Sequence, residues 1–279
     1  MTCIALLSRR EDTVRAAILR DGTLVHLDGD RLNRPFKLGQ VYQGKISHVE
    51  RGQYWVDLNS GIGLLSFDKK MPSLTVGQSI PVQISREPFF DIGQGCFKSP
   101  LLTRTVQPRQ NSILDIFPAL NDVDVLRIDD AELMAMIKPD LEAMYPQLNL
   151  VLSHSNVFDQ YGLDEAWDML FEAKIVLGSL NFTIEETSAC TVIDVNGSGS
   201  IRTLNQQAAQ LSAQQIKWCS LSGAIILEFI NHAKEQRQDL IAIMKSILPP
   251  CYDIHGFTKL GFLEIGCARL RAPLSHRFI

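Results

Sequence analysis

The sequence predicts a mixed chain, part α+β and part α/β, built from more than one unit. Three observations carry this. Cys190-Thr191-Val192-Ile193 and Ala224-Ile225-Ile226-Leu227 are apolar, β-branched runs that flank a helix-length stretch, 204–220. Strand, helix, strand is a βαβ unit with a right-handed connection and a parallel pair of strands. Short strands with glycine corners recur between residues 37 and 106, the pattern of a small barrel. The third observation is size: 279 residues, 46% apolar and 21% charged, suit one to three compact units.

The elements follow in order. Ile4–Leu7, Thr13–Leu19 and Thr23–Leu27 read as a β-meander, with Asp21-Gly22 as a hairpin turn. Residues 38–46, 52–57, 61–67 and 76–84 are the barrel strands. Residues 107–122 carry Pro, Asn and Gln without a period and read as a connection. A strand at Val125–Ile128, an acidic helix over 131–145 and a strand at Leu148–Leu152 come next. Leu163, Ala166, Trp167, Leu170 and Ala173 have helical spacing and predict a helix over Leu163–Lys174. After the βαβ unit, Leu240, Ile243, Met244, Ile247 and Leu248 form a helical stripe stopped by Pro249-Pro250. A strand over Leu260–Cys267 closes the pattern.

Composition narrows the function classes. A formal net charge of −4 argues against a broadly basic nucleic-acid coat. The charge is uneven, though: 120–145 is acidic, and from His255 onward Lys259, Arg269, Arg271 and Arg277 face one acid, Glu264. No apolar run approaches the roughly 20 residues that span a bilayer, and no basic region precedes the short apolar patch at the N-terminus. The expectation is a cytoplasmic protein without membrane contact. Six scattered cysteines lack any C-x-x-C pair and are expected as free thiols.

Asp194 and Glu228 each stand at the end of one strand of the βαβ unit, so a parallel pairing brings them to one edge of the sheet. Asn196, two residues on, shares a face with Asp194 if the chain stays extended. Asp, Asn and Glu offer oxygen donors, which suit Mg²⁺ or Mn²⁺. The plainer reading makes Asp194 and Asn196 turn formers and Glu228 a solvated strand end. Gly197-Ser198-Gly199 also opens a nucleotide-loop reading, but Arg202 stands where that pattern needs its third glycine.

The run Ile184-Glu185-Glu186-Thr187-Ser188-Ala189-Cys190-Thr191-Val192-Ile193-Asp194-Val195-Asn196-Gly197-Ser198-Gly199 resembles the catalytic strand-turn of the ribonuclease E/G family. In that family Thr-Glu-Ala-Leu leads into Ile-Asp-Val-Asn-Ser-Gly; Thr187, Ala189, Ile193, Asp194, Val195 and Asn196 match it. Asn205–Ala209 is similar to the family's Thr-Asn-Leu-Glu-Ala-Ala helix start. Ser222–Ile230 resembles its Gly-Gly-Ile-Ile-Val-Ile-Asp-Phe-Ile strand, with Glu228 where the family has Asp. Gly261–Ile265 and Arg269-Leu270 resemble its Gly-Leu-Leu-Glu-Met and Arg-Leu. Gly39-x-Val41-x-x-Gly44-x-Ile46 and Val76-Gly77-Gln78-x-Ile80-x-Val82-x-Ile84 look like its OB-type RNA-binding domain.

The resemblance implies an organisation. Residues 1–36 and 107–177 are two segments of a ribonuclease-H-like part, 37–106 an OB-fold RNA-binding domain inserted between them, and 178–279 an α/β catalytic domain. It implies a metal-dependent endoribonuclease acting on single-stranded RNA. Asp194 and Glu228 would hold Mg²⁺ (or Mn²⁺), with Asn196 as the third catalytic residue. Lys45, Trp55, Lys98, Arg269 and Arg271 are the expected RNA contacts. Trp55 stands at the family's stacking aromatic, although a barrel-core role is the alternative. Leu64 replaces the second aromatic. The alternative function is an RNA-binding protein of the same fold with little or no catalysis. The family's 5′-monophosphate sensor has no counterpart between Gln107 and Val125, where Arg104, Arg109 and Arg127 are the nearby cations. Its zinc link needs paired cysteines that this sequence lacks, so no zinc is expected, and any homodimer would use other surfaces.

Overall fold

The computed structural model describes residues 2–67, 71–107 and 113–279. Three strands, β1 (Cys3–Arg10), β2 (Thr13–Arg20) and β3 (Thr23–Arg31), form the antiparallel meander. Asp21 and Gly22 have φ of 48° and 78°. Two consecutive positive φ values are what a two-residue hairpin turn matched to strand twist requires.

The chain then enters β4 (Val41–Glu50), β5 (Gln53–Asp57), β6 (Ile62–Ser66) and β7 (Ser79–Arg86). A small hairpin, β8 (Phe89–Asp91) with β9 (Cys96–Lys98), follows, and β10 (Leu101–Thr103) closes a five-stranded barrel. Around the barrel, β4, β5 and β6 pair in sequence, β10 runs parallel to β6, and β7 seals β10 to β4. That is the strand order of an OB-like barrel, as the glycine-cornered strands predicted. Alternation sends Ile46, Tyr54, Val56, Leu65, Val82 and Ile84 inward to a core of their own. The β8–β9 hairpin and the closing strand were not legible: three-residue strands carry too little pattern.

Beyond the barrel come β11 (Val125–Ile128), α1 (Ala131–Met144) and β12 (Asn149–Leu152). Asp130 caps α1 by accepting from the Leu133 amide at 2.7 Å. Leu133, Ile137 and Leu141 are its buried stripe. Both strands return to the meander in the order β12-β11-β1-β2-β3, with β11 parallel to β1. The first sheet is therefore made from two chain segments on either side of the barrel.

The segment expected as one helix over Leu163–Lys174 is divided. After α2 (Val157–Gln160), α3 covers Asp164–Asp168, and Met169–Phe171 is a 3₁₀ turn. Ala173, expected in the core, is exposed. The competing pull is Lys174-Ile175-Val176-Leu177, which pairs as β13 (Lys174–Leu177) with β14 (Leu180–Glu186) across Gly178 at φ 62°. The Ile184 amide bonds the Ala173 carbonyl and extends that pairing back into the expected helix.

The second sheet has the order β13-β14-β15-β16-β18-β17. It includes β15 (Cys190–Gly197), α4 (Ile201–Trp218), β16 (Gly223–Glu228), α5 (Arg237–Ile247), β17 (Asp253–Phe257) and β18 (Leu263–Cys267). The predicted strand from Leu260 begins at Leu263; Leu260 itself is 84% exposed. β17, whose Asp-Ile-His-Gly-Phe lacks an apolar run, carries no strand signal in the sequence. Only β15 and β16 are parallel, the βαβ pair; their neighbours are antiparallel. Ile193, Val195, Ile225 and Leu227 share one core with Leu204, Ala208, Leu240 and Met244 of α4 and α5. Side chains of the other parity lie on the opposite, more open face.

A buried charge cluster joins the three parts. Asp28 of β3 accepts from Arg271 at 2.6 Å and from Arg277 at 2.7 Å. Arg34 bridges Asp30 and Glu87, at 2.6 and 2.9 Å. Glu87, just past the barrel, also accepts the amides of Leu38 and Ala272. Arg277 adds bonds to Ser220 and to the carbonyls of Gly29 and Ala272. Meander, barrel and C-terminal segment thus meet in one network with its polar groups paired.

Candidate active site and nucleic-acid interface

Asp194 and Glu228 are register partners at the C-terminal ends of β15 and β16. Neighbouring strands lie about 4.8 Å apart, and in-register side chains point to the same face. Ile193 and Leu227 face the helices, so the two acids face the other way, Asp194 half-buried and Glu228 exposed. β15 stays extended through Gly197, and Asn196 donates from Nδ2 to Asp194 Oδ2 at 2.8 Å. The Asn196 side chain thereby fixes the orientation of the carboxylate beside it. On the other flank, Thr183 is the β14 partner of Asp194.

Ser200 precedes α4 without capping it through its own side chain, and the Ser198 amide bonds the Ser179 carbonyl. Asn205 holds the far side of the site: its Nδ2 donates to the Ile230 carbonyl, two residues beyond Glu228. Glu264 stands opposite Ile226 on the open face. Its position was legible, since Leu263 and Ile265 are buried and strand alternation turns Glu264 outward. Among the described residues no group of three or more His, Cys, Asp or Glu side chains converges as a metal cage. Two adjacent carboxylates nevertheless fit a cation such as Mg²⁺, which keeps most of its waters and takes one or two carboxylates.

The remaining predicted residues divide by surroundings. Tyr54 and Val56 fill the barrel core, whereas Trp55 points outward, half-buried. The barrel-core alternative for Trp55 is therefore corrected by strand parity. Its cross-strand neighbours are His48 and Leu64. Trp55 and Leu64 lie on the second and third barrel strands, the face OB folds present to oligonucleotides. Lys45 is exposed on the first strand, opposite Asp57. Lys98 lies on the β8–β9 hairpin, 2.6 Å from Asp91. That lysine, with the amides of Gln94 and Gly93, holds the Asp91 carboxyl below its ordinary range.

Arg271 is committed to Asp28 inside the charge cluster, with a quarter of its side chain exposed. Arg269, by contrast, makes one long bond, 3.4 Å to the Ser222 carbonyl, and no ion pair among the described residues. It lies against Gly223, at φ 85°, where a Cβ would come within 2.3 Å of its Nε. Glycine at that position keeps the arginine in place. Arg109 lies outside the described residues.

A two-segment sheet, an OB-like barrel and a second sheet that carries two acids at paired strand ends make a mixed α+β fold with an open acidic face. Residues 97–270 match the Ribonuclease E/G family model, and the chain belongs to that family. It is 27% identical to Ribonuclease G of Haemophilus influenzae over 175 residues, 56% of this chain and 35% of that protein. To Ribonuclease G of Escherichia coli K12 it is 24% identical over 173 residues, again 56% and 35%. Ribonuclease E of Buchnera aphidicola matches at 23% over 172 residues, 55% of this chain and 18% of that protein. The aligned part thus spans about a third or less of the curated relatives. Most of the barrel precedes the matched span, so its likeness rests on topology. Among the described residues no helix is long and apolar enough to cross a membrane.

Proposed function

We propose that this chain is an endoribonuclease that cuts single-stranded RNA at the Asp194–Glu228 edge with help from Mg²⁺ or Mn²⁺. The observation that carries the reading is the register pairing of Asp194 with Glu228, with Asn196 bonded to Asp194, on a face left open by the helices. Asp194 and Glu228 would hold the cation, and the cation would supply Lewis acidity and positive charge against the scissile phosphate. Asn196 keeps the Asp194 carboxylate oriented. In this reading the two-segment sheet is the ribonuclease-H-like part, the barrel the OB domain, and the β13–β18 sheet the catalytic domain. RNA would enter across the outer barrel face at Trp55, with Lys45 and Lys98 near the backbone. A labelled, unstructured RNA incubated with and without Mg²⁺ tests the proposal; binding without cleavage in both arms would leave the non-catalytic RNA-binding reading instead.

Trp55→Ala is expected to weaken single-strand binding by about 1–3 kcal/mol through loss of one base stack. Because the side chain lies outside the barrel core, the melting temperature should hold. Filter binding and thermal melting on the same preparation check both halves, and unfolding with intact affinity would contradict the outward role.

Indifference to the RNA 5′ end is expected as well. Between β10 and β11 the described residues form only a 3₁₀ turn, Ile113–Ile116. Arg104 there is occupied by the Pro72 carbonyl at 2.8 Å. A set of RNAs differing only in 5′-monophosphate, triphosphate or hydroxyl should be cut at equal rates. A strong monophosphate preference would show a sensing pocket elsewhere.

A further inference from the structure

The seam between barrel and second sheet gathers three cations around one aromatic ring, two of them without an ion pair among the described residues. Arg86 ends β7, the fourth barrel strand, and its Cζ lies 5.2 Å from the Phe89 ring centre. Arg269, from the far side of the seam, lies over the same ring at 5.4 Å, and the Lys98 ammonium is also at 5.4 Å. Lys98 has Asp91 as its partner. Neither arginine has an ion pair among the described residues, and the buried Nε of Arg86 bonds to nothing. Burial pushes the Arg86 guanidinium down from its ordinary value, and the like charge of Arg269 pushes it further.

The nearby acids are taken. Glu87 serves Arg34 and two amides, Asp91 serves Lys98, and Glu186 faces His276 and Ser275. Two guanidiniums share one aromatic ring, and none of these carboxylates forms an ion pair with either among the described residues, so an anion between them would offset their mutual repulsion. The segment around Phe89 also connects the fourth and fifth barrel strands, the loop that OB folds bring to oligonucleotides beside their second and third strands. The seam is held closed by the Glu87 amide on the Leu270 carbonyl at 2.8 Å.

We infer that Arg86 and Arg269, braced on Phe89, form a subsite for a backbone phosphate of bound RNA. The inference rests on the RNA reading above. It adds a second contact at the opposite end of β16 from Glu228, roughly 17 Å along the strand at 3.3 Å per residue. Forked guanidinium donors suit phosphate oxygens, and at that distance from the acid pair the contact serves binding rather than bond cleavage.

The test uses the full chain, an unstructured RNA oligonucleotide, inorganic pyrophosphate and a polyglutamate peptide. Wild type should bind RNA with an affinity that falls as salt rises. Arg86→Gln should lessen the slope of log K against log salt by about 0.7, the counterion release of one single-strand phosphate contact. Arg86→Lys should keep most of the slope. Pyrophosphate should raise the melting temperature of wild type and not of Arg86→Gln. Without ligand, Arg86→Gln should melt no lower than wild type, because removing it relieves repulsion; a merely structural arginine would show the reverse. An unchanged salt slope in Arg86→Gln, with wild type binding RNA normally, overturns the subsite and leaves the RNA reading standing. Pyrophosphate stabilisation lost in Arg86→Gln, in a wild type that binds no RNA, overturns the RNA reading instead and keeps an anion site. Arg86-dependent binding of polyglutamate in preference to RNA would overturn the assignment in favour of an acidic protein partner.

Discussion

Asp194→Asn is expected to lower RNA cleavage by on the order of 100-fold or more, because in the proposed reading it takes a charged ligand from a cation that offsets transition-state charge. The variant should fold normally. Asp194 is half-buried on the open face, and among the described residues its side-chain hydrogen bond comes from Asn196. An asparagine oxygen can accept that bond as the carboxylate did, so shape and pairing survive while the charge does not. RNA affinity without metal should be unchanged, because Trp55 and the seam arginines lie elsewhere. Glu228→Asp is the companion: it shortens the reach by one methylene, restores the residue found at this place in the family resemblance, and should retain activity. Initial rates across a Mg²⁺ titration decide the matter. Full activity in Asp194→Asn would remove Asp194 from the chemistry altogether.

Asp28→Asn is expected to destabilise the fold by about 3–5 kcal/mol, the usual consequence of taking one partner from a buried ion pair. Arg277 has no exposed side-chain surface, and Asp28 only 7%. Burial pushes the Asp28 carboxyl up, but Arg271 and Arg277 together outweigh it and hold the group below its ordinary value. With the carboxylate gone, Arg277 stays charged, since a guanidinium does not give up its proton at accessible pH, and it faces Arg271 uncompensated. The pH dependence has a definite sign. A depressed folded-state pKa stabilises above the unfolded value, about 3.9, and this contribution is lost as pH falls through the folded value. Wild type should therefore lose stability on acidification below about pH 4, and Asp28→Asn should show a shallower acid branch. Denaturant titrations at pH 7 and pH 3 measure both effects; equal stability of the two proteins at pH 7 would contradict the prediction.

The parts of this molecule that were legible in the sequence are those where periodicity is long or a residue has only one place to go. The βαβ unit followed from two β-branched runs around a helix-length stretch, and strand ends then put Asp194 beside Glu228. The meander followed from Asp21-Gly22, which only a tight turn explains. Short, mixed stretches failed. Leu163–Lys174 has helical spacing, yet Lys174–Leu177, which overlaps only its last residue, pairs with β14 and pulls the end of the stretch out of the helix. β17 has no apolar run because one of its faces is open and a glycine sits at its bulge. The charge cluster could not have been found by inspection: Asp28, Glu87 and Arg277 are far apart in sequence and individually unremarkable. Arg271 belongs to the basic end of the chain and is expected there as an RNA contact, while the fold pairs it with Asp28. For Trp55 the sequence leaves two places open, and strand parity, with Tyr54 and Val56 inside, turns it outward.

The division of the first sheet sets an order of assembly. β1 pairs with β2 at once, but its other neighbour, β11, lies some 120 residues away, as the bond from the Cys3 amide to Asp124 shows. The barrel closes on itself within that interval and has its own core. During synthesis it can therefore reach its final form while one edge of β1 is still bare. A bare edge of Ile, Ala and Leu is a template for pairing with other chains, and domains that emerge first fold first. Slow closure of so distant a contact makes the interval between barrel folding and the arrival of β11 the period in which this chain is most exposed to aggregation. Variants that weaken β11 should lower soluble yield well before they alter the finished protein.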